Sequence, residues 1–198
     1  PYGMDATDVN DAARLYWQLK YFGEKNMAIL DGGLNAWIKE GRDISSAAAA
    51  PTKGNWIAKG EVKALLASSD DIATAINDKR VHLIDARPLP QFYGLSKRDY
   101  VFAYGHIAGA HPFTPDVLTR AEGGSAKFLS AETYRNILKQ SGINPEAPAI
   151  TYCNSGHLSS GPWFVMSEIL GNRNVSLYDG SLHQWTMEKR PLESIAAR

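Results

Sequence analysis

The sequence predicts an α/β fold with a central, mainly parallel sheet. Three short apolar segments, at 81–85, 149–152 and 174–178, have the length and composition of buried strands. Segments 69–79 and 130–142 are helix-like, and Ser130 suits the N-terminal cap of the second. Strands that alternate with helices are typical of a parallel sheet covered by helices on both faces.

An internal repeat indicates duplicated domains. Asp31-Gly-Gly-Leu-Asn-Ala-Trp37 recurs as Asp179-Gly-Ser-Leu-His-Gln-Trp185, at an offset of 148 residues (179 − 31 = 148). The same offset aligns residues 5–37 with 153–185 without a gap. The six identities are Gly23/Gly171, Asn26/Asn174, Asp31/Asp179, Gly32/Gly180, Leu34/Leu182 and Trp37/Trp185. So many ungapped identities predict two copies of one structural unit.

Both copies predict the same order of elements. A helix ends at Gly23 or Gly171, where glycine suits a C-cap. A strand then follows at 26–30 or 174–178, and an Asp-Gly turn leads into a helix that carries the tryptophan. We therefore expect the C-terminal portion of one domain at 1–41 and a complete domain at 55–198. Residues 42–54, with four consecutive alanines and a proline, are the expected linker.

Cys153 is the single cysteine of the chain and stands where a reactive thiol is expected. It directly follows the predicted strand 149–152, at the strand's carboxyl end, where open α/β sheets place their ligand sites. Backbone N–H groups of a tight loop before a helix favour an anion, and the thiolate is the nucleophilic form of cysteine. A lone cysteine is commonly a small buried hydrophobe, but such a residue is expected within a strand or helix. We interpret Cys153 as a nucleophile.

Charge and composition exclude several classes of protein. Lysine plus arginine and aspartate plus glutamate both number 21, so the net charge of zero gives no sign of nucleic acid or a membrane surface as partner. The apolar runs are too short for a transmembrane helix. The five histidines lack the spacing of a zinc motif, and we expect no metal. The expectation is a soluble protein of the cytoplasm or periplasm, with the compartment left open.

Four kinds of motif together resemble the tandem-domain sulfurtransferases of the rhodanese superfamily. They are Leu83-Ile-Asp-Ala-Arg87, Tyr104-Gly-His-Ile-Ala-Gly-Ala110, Tyr152-Cys-Asn-Ser-Gly-His-Leu-Ser159 and the two Asp-Gly-x-Leu-x-x-Trp blocks. The resemblance covers the whole chain. It implies a rhodanese-like three-layer α/β domain, preceded by the C-terminal part of a second, inactive one in which Asp5 occupies the place of Cys153.

The resemblance also implies a reaction. Sulfane sulfur from thiosulfate or 3-mercaptopyruvate would pass to a thiol or cyanide through a persulfide on Cys153, with no cofactor. A non-enzymatic rhodanese-like sulfur carrier or protein-binding module is the alternative, and a gain of one sulfur in intact mass would separate an active cysteine from a structural one. The sequence disfavours a cysteine phosphatase, because Ser159 stands where a Cys-x5-Arg loop needs arginine.

Further site residues follow from the motifs. The active loop comprises Asn154, Ser155, Gly156, His157, Leu158 and Ser159. Its first three residues are neutral, as in mercaptopyruvate-preferring members, whereas a protonated His157 can bind an anionic donor or simply hydrogen-bond to backbone. The substrate-binding candidates are Arg87, Gln91, Lys97 and Arg98. Asp85, at the end of strand 81–85, is the expected orienting residue.

The segment 1–41 carries more apolar side chains than an isolated fragment of its size can bury. Its predicted strand would also leave unpaired edges. We therefore expect an amino-terminal fragment of the same precursor, about 85–90 residues long by the repeat offset, to stay associated as a separate chain. The expected cleavage lies just before Pro1, in an exposed loop. A denaturing gel of the native species would then show two bands.

Overall fold

A computed structural model describes residues 1–195 of the chain. The strands are β1 Leu66–Ala67, β2 His82–Asp85, β3 His111–Pro112, β4 Thr119–Glu122, β5 Ser125–Phe128, β6 Ala149–Tyr152 and β7 Val175–Tyr178. The helices are α1 Ala6–Tyr21, α2 Gly33–Lys39, α3 Ser69–Asn77, α4 Leu89–Phe92, α5 Ala131–Gln140, α6 Ser160–Phe164 and α7 Ser181–Met187. A π-helical turn, Val165–Ile169, continues α6, and two 3-10 turns span Lys63–Leu65 and Pro115–Val117.

The central sheet confirms the predicted fold class. Five strands lie in the order β1-β7-β6-β2-β3, and every neighbouring pair is parallel. The three strands predicted from the sequence are its three adjacent central members. Because their carboxyl ends meet at one edge of the sheet, the loops that follow β2, β6 and β7 come together there.

Helices cover both faces of this sheet. Leu83 and Ile84 are consecutive in β2 and point to opposite faces, as alternation along a strand requires. Leu83 packs in one core cluster with side chains of α3 and α7, including Trp185. Ile84 packs in the other with side chains of α1, α5 and α6, including Trp163. The result is a three-layer α/β arrangement in which α1 belongs to the layer of α6.

The helix boundaries follow local chemistry. Ser130 caps α5 as predicted, since its hydroxyl accepts a hydrogen bond from the Thr133 amide at 3.2 Å. Both predicted helices end two residues early, at Asn77 and Gln140. At the end of α5, Gly142 adopts φ +76°, a conformation that a helix cannot continue.

The predicted strand at 26–30 is wrong. That segment has no strand conformation, whereas its repeat counterpart β7 pairs with β6 and β1. Within residues 1–195 no strand pairs with 26–30, and a β-ladder needs a partner to supply its hydrogen bonds. The side chains differ accordingly: Leu30 is 55% exposed, and its counterpart Tyr178 is 1% exposed.

Residues 42–54 are exposed throughout and contain no helix or strand, as expected of a linker. The domain limits at 1–41, 42–54 and 55–198 remain predictions. No helix in residues 1–195 combines the length and the apolar character needed to cross a bilayer.

Helix α1 packs against the helical segment that begins with α6. In two of the contacts between them, the residue numbers differ by 148, the offset of the sequence repeat. Tyr16 meets Phe164 edge to face, with ring centroids 5.0 Å apart. One turn on, Lys20 Nζ lies 2.6 Å from Glu168 Oε1. Both pairs are separated by 148 residues, so each position meets its own counterpart across the packed helices.

Candidate active site

The loop 153–159 lies between β6 and α6 at the carboxyl edge of the sheet. Cys153 is its first residue and is only 1% exposed. The start of α7 supports the loop from one side. The Leu182 amide donates to the Cys153 carbonyl at 3.1 Å, and the His183 amide donates to the Asn154 carbonyl at 2.9 Å.

Ser181 anchors the loop through its hydroxyl group. Ser181 Oγ accepts hydrogen bonds from the amides of Cys153 and Gly156, both at 3.0 Å, and donates to the Tyr178 carbonyl at 2.8 Å. Its backbone lies in the left-handed region, with φ +49°, and its repeat counterpart is Gly33, with φ +59°. A non-glycine residue is uncommon in this conformation. Residue 181 thus carries a side chain where the residue 148 positions earlier is glycine, and its hydroxyl makes three hydrogen bonds.

The remaining loop amides are available to an anion. Among residues 1–195, no protein acceptor pairs with the backbone N–H groups of Asn154, Ser155, His157, Leu158 and Ser159. Gly156 interrupts them with φ +80°, and successive N–H groups around such a left-handed residue form anion-binding concavities. The loop can therefore stabilise negative charge without a cationic side chain of its own.

Asp85 and Arg87 form a buried ion pair beside the loop. Arg87 Nε lies 2.9 Å from Asp85 Oδ1 and its Nη2 lies 2.6 Å from Oδ2, and the two side chains are 1% and 0% exposed. Nη2 also donates to the Gly105 carbonyl at 2.8 Å. Burial by itself lowers the pKa of Arg87, but the adjacent Asp85 carboxylate outweighs it and the pKa is raised.

Tyr152 links the sheet to the motif 104–110. Its hydroxyl accepts a hydrogen bond from the Ile107 amide at 3.1 Å. Complete burial, reinforced by the Asp85 carboxylate, raises the pKa of Tyr152 well above its usual value, so the phenol stays neutral. The His106 ring stacks on Phe92 at 3.9 Å and its Nδ1 lies 2.8 Å from the Phe92 carbonyl. This motif therefore joins the end of α4 to β6 of the sheet.

The predicted substrate-binding residues differ in whether they contact the active loop. Gln91 reaches the loop, because its Oε1 accepts a hydrogen bond from Asn154 Nδ2 at 2.9 Å. Arg87 is enclosed with Asp85, which favours a structural role for both. Lys97 lies over the Tyr104 ring, with Nζ 5.5 Å from its centroid, and Arg98 is exposed. Within residues 1–195 neither cation hydrogen-bonds to the loop. Their substrate contacts stay predictions.

Helix α1 also contacts the loop, which sequence reasoning missed. His157 Nε2 lies 2.8 Å from the Asp11 carboxylate, so the ring faces α1 rather than a backbone group. Arg14 Nη1 donates to the Gly156 carbonyl at 3.1 Å and forms an ion pair with Asp179. These partners lie far apart in the chain, and no local pattern points to them.

Replacing Ser181 tests the anchoring role of its hydroxyl. Ser181→Ala leaves two buried amides without an acceptor, and we expect the free energy of unfolding to fall by about 2 kcal/mol or more. Ser181→Gly loses the same bonds but relieves the strained backbone, which is worth about 1 kcal/mol. It should therefore lie between Ser181→Ala and the wild type in urea denaturation. A Ser181→Gly protein as stable as the wild type would contradict the anchoring role.

Comparison with known families supports this reading of the fold. Residues 68–188 match the family described as "Rhodanese-like domain". A "Putative thiosulfate sulfurtransferase" of Haloferax volcanii is 31% identical over 179 residues, which cover 88% of this chain and 61% of the relative. A protein of the same description from Mycobacterium tuberculosis is 33% identical over 181 residues, covering 88% and 62%.

A "Sulfur carrier protein TtuD" of Thermus thermophilus is 28% identical over 183 residues, covering 88% of this chain and 63% of the relative. The chain thus spans about three-fifths of the length of these relatives. Among solved structures, an EanB variant with ergothioneine superposes with a TM-score of 0.83 at 22% identity, over 95% of this chain and 46% of the other. The wild-type EanB structure gives 0.78 at 23%, over 95% and 45%. These likenesses are of fold.

Proposed function

Because the chain belongs to the rhodanese-like domain family, we propose that it is a sulfurtransferase that carries sulfane sulfur as a persulfide on Cys153. The observation that carries the proposal is the setting of this single cysteine. It opens a loop at the carboxyl edge of the sheet, next to five backbone amides without a protein acceptor among residues 1–195. The similarity to relatives described as thiosulfate sulfurtransferases supports the same chemistry.

The first half-reaction transfers sulfur to the protein. The Cys153 thiolate attacks the outer sulfur of thiosulfate, a new S–S bond forms, and the old S–S bond breaks with its electron pair leaving on sulfite. With 3-mercaptopyruvate the C–S bond breaks instead, and the departing carbanion takes a proton to give pyruvate. The loop amides stabilise the negative charge on sulfur before and after this transfer.

The second half-reaction returns the thiolate. Cyanide or an acceptor thiolate attacks the outer sulfur of the persulfide, and the electron pair of the broken S–S bond returns to Cys153. Thiocyanate or a new persulfide leaves. Splitting the transfer into two displacements on one nucleophile replaces one difficult step by two easier ones, and it uses no cofactor.

Donor preference is the finer part of the proposal. The loop is neutral from Asn154 to Gly156, and the His157 ring is occupied by Asp11, so neither supplies a free cation for thiosulfate. That arrangement favours 3-mercaptopyruvate. The relatives described as thiosulfate sulfurtransferases favour the other donor. Both donors therefore belong in the test.

Turnover with each donor tests the proposed function. A catalytic amount of protein is given thiosulfate with cyanide, or 3-mercaptopyruvate with a thiol, and thiocyanate or pyruvate is measured. We expect many turnovers per protein with at least one donor. A single loading without turnover would favour the sulfur-carrier alternative, which is also the description of the Thermus relative. No turnover and no gain of sulfur would overturn both.

The proposal extends to the domain organisation. We propose that residues 1–41 belong to a second copy of the rhodanese-like unit, supported by the sequence repeat and by the contacts Tyr16–Phe164 and Lys20–Glu168 between positions one repeat apart. Paired counterparts are typical of an approximate two-fold axis. An apolar groove of about 740 Å³, lined by Leu15, Ile29 and Leu34 among others, supports the proposal, because it offers a surface against which the rest of that unit could pack. An associated amino-terminal fragment remains a prediction.

A further inference from the structure

We infer that Arg14 of α1 is a positioning residue for the active loop, holding the peptide group of Gly156 and, through it, the backbone of Cys153. The inference rests on the proposed function in one respect, namely that the loop carries out sulfur transfer at Cys153. The contacts themselves join two segments far apart in the sequence.

Arg14 holds two groups at once. Its Nη1 donates to the Gly156 carbonyl at 3.1 Å and forms an ion pair with the Asp179 carboxylate. The Arg14 side chain is 20% exposed. Its guanidinium lies over the Trp17 ring, with Cζ 5.0 Å from the ring centroid. Asp179 immediately precedes the Gly180–Ser181 turn. One arginine therefore joins the active loop to the turn that anchors it.

Gly156 passes this restraint on to Cys153. Its carbonyl points to Arg14, while its amide donates to Ser181 Oγ at 3.0 Å, the same oxygen that accepts the Cys153 amide. The left-handed conformation of Gly156, φ +80°, directs these two groups to different anchors. The hydroxyls of Ser159 and Ser160 also donate to the Gly156 carbonyl, at 3.0 and 3.2 Å. Moving the carbonyl would disturb every one of these bonds.

The neighbours of Arg14 on α1 contact the loop and the helix that follows it. Asn10, one turn earlier, is 1% exposed, and its Oδ1 accepts a hydrogen bond from the Gly161 amide at 3.1 Å. Asp11 faces His157 at 2.8 Å. Residues 10 and 14 share one face of α1, so this face contacts both the loop and the first turn of α6.

The geometry favours arginine over a positive charge alone. The planar guanidinium fixes the direction of Nη1, whose two N–H groups reach the Gly156 carbonyl and the Asp179 carboxylate. A lysine ammonium is a mobile point charge on a flexible chain. Arg14→Lys therefore keeps the charge and loses the fixed geometry, whereas Arg14→Gln loses both.

The experiment compares Arg14→Gln, Arg14→Lys and the control Arg80→Gln. Arg80 also pairs with an aspartate, Asp78, but its side chain is 86% exposed and it precedes β2 at the opposite edge of the sheet. Urea denaturation first establishes that each variant folds. The rate of Cys153 alkylation by iodoacetamide is then followed against pH, each profile being normalised to its own maximum so that changes in access do not move the midpoint.

We expect the midpoint to rise by about half a pH unit or more in both Arg14 variants and to stay unchanged in Arg80→Gln, because a loosened loop stabilises the thiolate less. The rate of persulfide formation should fall about tenfold or more. If Arg14→Lys keeps the wild-type midpoint while Arg14→Gln does not, the positive charge of Arg14 and not its geometry is responsible. If both variants keep the wild-type midpoint, the inference is overturned. If the wild type never gains sulfur but the midpoint still rises, the proposed function fails while the positioning role stands.

Discussion

We expect Cys153→Ser to abolish sulfur transfer from both thiosulfate and 3-mercaptopyruvate. A serine hydroxyl is neither a comparable nucleophile at neutral pH nor able to form a persulfide, so turnover should fall by at least about a thousandfold. The chain has one cysteine, and no second thiol can replace it. The measurement is the rate of thiocyanate or pyruvate release for both proteins under identical conditions.

The control for this variant is its stability. Serine is close to cysteine in size, and residue 153 has 1% exposure, so the urea midpoint should change little beyond the small cost of a buried hydroxyl. Loss of turnover with the urea midpoint retained assigns the effect to chemistry. Wild-type turnover of Cys153→Ser with both donors would contradict the mechanism.

The second large effect concerns the ion pair of Asp85 and Arg87. Arg87→Met should lower the free energy of unfolding by about 3–5 kcal/mol, because it leaves the Asp85 carboxylate buried without its partner. Both side chains are at most 1% exposed, so water cannot replace the guanidinium without rearrangement. Chemical denaturation at neutral pH measures the loss.

Two further variants identify the cause. Arg80→Met removes an exposed arginine and should leave the free energy of unfolding almost unchanged, as is usual for a surface ion pair. Asp85→Asn combined with Arg87→Met removes both charges, and it should cost less than the sum of the two single changes. A loss for Arg87→Met as small as that for Arg80→Met would show that the buried pair does not contribute as argued.

The central strands were predictable because each carries its own signal. An apolar run such as 149–152 is buried on both sides and ends at a polar loop, and it forms a strand in its predicted place. Segment 26–30 has a similar run but no strand beside it within residues 1–195. Composition indicates the tendency to form a strand, while pairing depends on a partner that the run does not specify. The hairpin of β4 and β5 was missed, although Gly123-Gly124 between two short segments is a recognised turn signal.

The candidate site also contains residues that the local sequence predicts and residues that it does not. Cys153 and its loop were found from local order, since strand, cysteine, polar loop and helix follow one another in the sequence. Asp85 and Arg87 were predicted from one short motif, 83–87, in which they stand two residues apart. Arg14 contacts Gly156 across 142 residues, and nothing around it in the sequence indicates that contact. Ser181 had one available signal: it replaces glycine at a repeat position where the backbone is left-handed.

Intact mass spectrometry with peptide mapping tests the central claim most directly. The wild-type protein is incubated with each donor, freed of excess reagent and measured before and after addition of cyanide. We expect a gain of one sulfur atom with at least one donor, located on the peptide that contains Cys153 and removed by cyanide, and no gain in Cys153→Ser. A wild-type protein that gains no sulfur from either donor, or a Cys153→Ser protein that gains as much as the wild type, would contradict it.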